Sequence, residues 1–126
     1  MKAGGHRAKA ERIARSLEKL SPEDWEIVID GVMLALTHWI NYAFHSVGLS
    51  AETDDVMHAY FATAFERQHW GLAAGPEFLA ALEEIETIRP QHVRGNAPTG
   101  EAAATRALAI LADVRERALA KATDNG

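Results

Sequence analysis

The residues best suited to chemistry in this sequence are its six histidines, and their spacing limits what they can do. His38 and Asn41 are three apart, and Asn41 and His45 are four apart, so a helix would carry all three on one face. His58 follows Asp54 by four, so a carboxylate at a helix start could meet that imidazole within one turn and orient it. Asp54-Asp55 could form an acidic dyad, but at a helix start the positive end of the dipole explains the pair better. No HxxxH or HExxH pair occurs, and a metal site needs at least three converging ligands. The spacing therefore predicts no metal and no cofactor, with a His-based metal protein as the third reading, which would draw on His38 or His58. It reads the histidines as a polar helix face with a His–Asp hydrogen bond locking two helices.

A second group is Arg89-Pro90-Gln91-His92-Val93-Arg94-Gly95-Asn96, in an expected loop. Two arginines and a histidine could hold a phosphate and move a proton. The plainer reading has Arg89 and Arg94 capping helix carbonyls or pairing with acids such as Glu83 and Glu86, the latter three residues before Arg89. The remaining templates fail. Neither GxSxG nor GxxxxGK[ST] is present. The chain has no cysteine, which removes disulfides, thiolate nucleophiles and Cys-ligated metals. Trp25, Trp39, Tyr60, Phe61 and Phe65 lie at helical spacing, which predicts core or dimer contacts before a base-stacking platform.

These groups must be positioned by helices. The 126 residues suit one domain, and 48% are hydrophobic and 25% charged, as in globular proteins. Apolar residues three and four apart predict a first helix over about 7–20. Ser21-Pro22-Glu23-Asp24 then reads as a cap, a proline at the first helical position and acids on the helix dipole. A second helix is expected over about 22–46, with a wide apolar stripe and Gly48 as its left-handed stop. Its greasy stretch, 27–47, is interrupted by Asp30, His38, Asn41 and His45, which argues against a membrane span. A third helix is expected from about Asp54 to Gly71, with Val56, Met57, Tyr60, Phe61 and Ala64 facing the core and Phe65 beside them. A fourth runs from Pro76 to Pro90. A fifth, alanine-rich, covers about 101–121, with Thr99 as its cap and fraying expected over 123–126. Short connections favour antiparallel neighbours, so the fold class is an all-α, up-and-down bundle of about five helices.

Net charge is −5, which does not favour nucleic acid. Its distribution is uneven. Residues 1–19 carry six Lys/Arg against Glu11 and Glu18, and residues 20–66 carry eight acids and no Lys or Arg. The basic first helix should pack beside the acidic segment, in cis or across a dimer, or else act as an arm that touches phosphates. The start of the chain lacks a signal-peptide core, and with the absence of cysteine this predicts a cytoplasmic protein.

The run His38-Trp39-Ile40-Asn41-Tyr42-Ala43-Phe44-His45-Ser46-Val47-Gly48, followed by Asp54-Asp55-Val56-Met57-His58, resembles small helical proteins of the HEPN superfamily. The later order does too: a Leu/Glu helix ending at Arg89, the loop Val93-Arg94-Gly95, and an alanine-rich last helix. The resemblance spans about residues 20–120, with 1–20 as a basic N-terminal helix and 21–122 as the HEPN-like bundle. It implies a homodimer, with nucleotide, RNA or a nucleotidyltransferase as partner. Many HEPN proteins are ribonuclease toxins of toxin–antitoxin pairs, with Arg, four to six residues, then His. Here only two residues separate Arg89 from His92. The resemblance therefore implies a non-catalytic binding module with His38, Asn41, His45, Asp55, His58 and Arg94 as ligand candidates. The alternative is a ribonuclease using Arg89 and His92.

Overall fold

The computed structural model describes residues 1–124. They form five helices: α1 (Ala3–Leu17), α2 (Trp25–Ser46), α3 (Ala64–Ala74), α4 (Glu77–Arg89) and α5 (Gly100–Asp124). No strand occurs among the described residues. This is the all-α bundle that the apolar periodicity predicts.

The second helix is the axis of the fold. It packs against α1, α4 and α5. Ile29, Val32, Leu36, Trp39, Ile40 and Phe44 are buried because neighbours cover more than one of its sides, as so wide an apolar stripe requires. Residues 22–46 are long and apolar enough to cross a membrane, but 61% of the most apolar window is buried inside the protein, the environment of a core helix. The alanines of α5 do what small residues allow. Ala104, Ala107 and Ala118 are fully buried at its close approach to the core.

Both ends of α2 follow the sequence. The Ser21 hydroxyl accepts from the Glu23 N–H, and the Asp24 carboxylate accepts from the Ser21 N–H at 3.1 Å. Residues 22–24 form a 3₁₀ turn, so the α-helix proper begins at Trp25. At the other end Gly48 has φ +74, the Leu49 N–H donates to Phe44 O and the Gly48 N–H donates to His45 O. These two bonds are the Schellman closure, which turns the chain back beneath His45.

The third helix departs from expectation. Residues 54–58 are not helical; a 3₁₀ turn covers Ala59–Phe61, and α3 starts only at Ala64. Two opposing signals account for this. Thr63-Ala-Phe-Glu66 is a capping box, with Glu66 N–H donating to Thr63 Oγ1 and Thr63 N–H to Glu66 Oε1, and it sets the helix start there. Upstream, Asn41 claims the backbone of Val56 for itself: Nδ2 donates to Val56 O and Oδ1 accepts from Val56 N–H, both at 2.7 Å. A backbone paired this way is held extended. Consequently Val56 and Ala59 are buried, but Met57, Tyr60, Phe61, Ala64 and Phe65 are exposed, not core-facing.

The expected loop after α4 is partly ordered as a π-helical turn over Pro90–Arg94. Thr99 has φ +73 and its hydroxyl bonds to Pro98 O. Expected fraying over 123–126 falls partly outside the described residues; Thr123 still belongs to α5 and bonds to Leu119 O.

Candidate functional site

Two polar regions border α2. The first gathers three imidazoles and one carboxylate. His38 and His45 lie on α2, His6 comes from α1, and Asp55 comes from the extended segment that Asn41 anchors. His6 Nδ1 is 2.9 Å from His38 Nδ1, and its Nε2 is 3.0 Å from Asp55 Oδ1. His45 Nε2 lies 2.8 Å from the same oxygen, while its Nδ1 faces the Ser50 hydroxyl at 2.9 Å and the Ser50 carbonyl at 3.2 Å. The side chains of His6 and His45 are 2% and 1% exposed, and Asp55 is 32% exposed at the mouth of the cluster.

Burial lowers the pKa of His6, against the opposing pull of Asp55, and burial with the neighbouring His6 and Lys9 charges lowers that of His38. Burial acts to raise the Asp55 carboxyl, but the hydrogen bonds from His45 and His6 outweigh it, so Asp55 ionises below the ordinary carboxylate value. The resting state is thus an ionised carboxylate facing neutral His6.

The second region is an open trough. One part, of about 320 Å³, is lined by Asp30, Met33, Leu34, Thr37, Met57, His58 and Arg89. An adjoining part of about 230 Å³ shares Met33, His58 and Arg89 and adds Tyr60, Glu86, Pro90 and Arg94. Its volume lies near the lower end of small-molecule sites, roughly 300–1,000 Å³. Arg89 Nε donates to Asp30 at 2.5 Å, and among the described residues no hydrogen bond engages its terminal nitrogens. Arg94 is exposed and has no ion pair among the described residues. The His58 ring stacks on Tyr60 at 4.7 Å, and Phe61 meets Tyr60 edge-on at 4.6 Å. Tyr60 and Phe61 remain 62% and 71% exposed.

The structure thus sorts the candidate residues. His38, His45 and Asp55 come together, and so do His58, Arg89 and Arg94; Asp55 and His58 also line a shared cavity of about 470 Å³. Asn41 is 2% exposed and spends its amide on Thr37 and Val56, so it is a clamp and not part of a solvated face. His58 does not meet Asp54. With no helix there to align them, its Nδ1 lies 3.5 Å from Glu86, whose Oε1 accepts from the Ala59 N–H. Nor does Glu86 pair with Arg89, which turns to Asp30, and Glu83 pairs with Arg67. His92 is largely buried and bonds to Ile88 O, while Arg89 is engaged with Asp30. The basic first helix packs on α2 in cis. Its lysines and arginines form no ion pair with the acidic segment among the described residues; Arg7 pairs with Glu11 of its own helix.

His6 escaped the sequence reading. It lies 32 residues before His38, and local spacing carries no trace of a contact made by packing α1 on α2. The available signal was its position in the first helix, four residues before Ala10 on the inward stripe.

No family model matches this chain, and no curated protein or solved structure matches it.

Proposed function

We propose that the chain is a non-catalytic binding module of HEPN-like type whose ligand is a nucleotide unit, free or at the end of an RNA strand. One observation carries the reading: the trough sets the exposed ring of Tyr60, stacked on the half-buried His58, beside two arginines, Arg89 and Arg94. A base has a π-face for the rings, and a phosphate takes charge-assisted hydrogen bonds from guanidinium groups. Arg89 is held in place by Asp30 through Nε, which leaves its terminal nitrogens for an anion. Asp30 and Glu86 balance the arginines, so the trough suits one or two phosphates better than a long polyanion.

Cleavage is not part of the proposal. Arg89 and His92 would have to act on one scissile phosphate, and each is engaged with a different partner.

The apolar rim of Leu34, Met57 and Phe61 favours a second use of the same face, the seating of a second copy of the chain or of a nucleotidyltransferase partner. Calorimetric titration with nucleoside monophosphates tests the main reading. Binding that Tyr60→Ala and Arg94→Ala each weaken by about tenfold supports it, in keeping with roughly 1–3 kcal/mol per stacked base. Absence of heat at millimolar nucleotide, together with a dimer in native mass spectrometry that Phe61→Ser dissociates, replaces it with the second.

A further inference from the structure

The imidazole cluster brings three metal-ligating groups from three parts of the chain to one point, two of them buried. A carbonyl oxygen only accepts, so the Ser50 carbonyl, 3.2 Å from His45 Nδ1, calls for a proton on that nitrogen. With Nδ1 turned to Ser50, His45 Nε2 is the ring nitrogen that faces Asp55 Oδ1, at 2.8 Å. Likewise His6 Nδ1 meets His38 Nδ1 at 2.9 Å, and its Nε2 faces the same Asp55 oxygen at 3.0 Å. Protons on the two Nε2 atoms bridge them to the carboxylate, and a metal ion can take the place of those protons with the same three atoms as ligands.

We propose that His6 Nε2, His45 Nε2 and Asp55 Oδ1 form a binding site for a divalent transition-metal ion, with His38 and Ser50 fixing the two imidazoles from behind. The three donor atoms lie within 4.8 Å of one another. Around an ion with ligands at about 2.1 Å and right angles, neighbouring donors are about 3.0 Å apart, close to the two nitrogen–oxygen spacings of 3.0 and 2.8 Å. Both nitrogens are buried and the carboxylate stands at the mouth, which leaves an entry path and open coordination positions. Two imidazoles and a carboxylate, without thiolate, suit zinc, cobalt, iron or nickel over copper(I), calcium or magnesium. A donor such as Nδ1–H to His38 or Ser50 is the usual support of a metal-bound imidazole. The Met1 amine, 4.0 Å from Asp55 Oδ1, donates to Glu52 O. No residue of this cluster lines the Arg89 trough, so failure of either binding test leaves the other intact.

The test uses the full chain without an affinity tag, stripped with chelator and titrated with Co²⁺ at pH 7.5, read by visible absorption and competed with Zn²⁺. The expected result is one Co²⁺ per chain, displaced by Zn²⁺. Asp55→Asn and His45→Ala should each weaken binding by about tenfold or more, while exposed His69→Ala leaves it unchanged. In the unmodified protein, bound Co²⁺ should broaden the amide signals around residues 6, 45 and 55, a readout that needs no variant to fold. Substoichiometric uptake, binding indifferent to Asp55→Asn, or broadening centred elsewhere overturns the proposal.

Discussion

The histidine cluster and the arginine trough both border α2, yet they are held in opposite ways. The cluster is inside: two of its imidazoles are almost fully covered, and its members come from α1, α2 and a segment pinned by Asn41. The trough is open, and its rings are among the most exposed large side chains of the protein. Buried polar groups must satisfy one another or a bound ion, whereas exposed rings and guanidinium groups are solvated and free to take a ligand. The cluster should therefore respond to changes in stability and pH, and the trough to ligands with little effect on stability.

Asn41→Ala should break that contrast most severely. It strands the buried N–H and C=O of Val56, and the loss should be about 2–4 kcal/mol in urea denaturation. It should also release Asp55, so metal uptake should fall with stability. A variant as stable as the parent would show that the clamp is not what orders residues 54–58. Tyr60→Ala should do the reverse, with about tenfold weaker nucleotide binding and a stability change within about 0.5 kcal/mol.

Acid should distinguish the regions next. His6 and His38 have folded pKa values below 6.5, so the unfolded chain binds protons first. Their contribution to stability is present above pH 6.5 and is lost as pH falls below it towards the folded values. Asp55 adds a second window. Its folded pKa lies below 3.8, so its contribution is lost only as pH falls from about that value through the folded one. In metal-free protein the melting temperature should thus decline between pH 7.5 and 5.5, and His38→Gln should flatten that decline. A slope unchanged by His38→Gln would detach the pH response from the cluster. The smallest effect is expected for Arg94→Ala, a change in melting temperature of about a degree or less, because an exposed side chain without an ion pair adds little to stability.

How legible these regions were depends on the range of the contacts that make them. Periodicity and caps act within a few residues, which is why α2, its Ser21 start and its Gly48 stop can be read directly. His38 and His45 also share a helix face by spacing alone. The extended segment 54–58 could not be read this way, because its conformation is set by Asn41, 15 residues earlier, against a sequence that looks helical. The capping box at Thr63–Glu66 was a local signal that would have placed α3 correctly. His6 and Glu86 reached their partners only through helix packing, and no local pattern encodes that.

The most direct test of the trough as the ligand face is a ¹H–¹⁵N correlation titration of the full chain with a nucleoside monophosphate. The account predicts saturable shifts at residues 57–61 and 89–95, with the amides of 6, 38 and 45 unmoved. Shifts centred on the histidine cluster, or none at millimolar ligand, would contradict it.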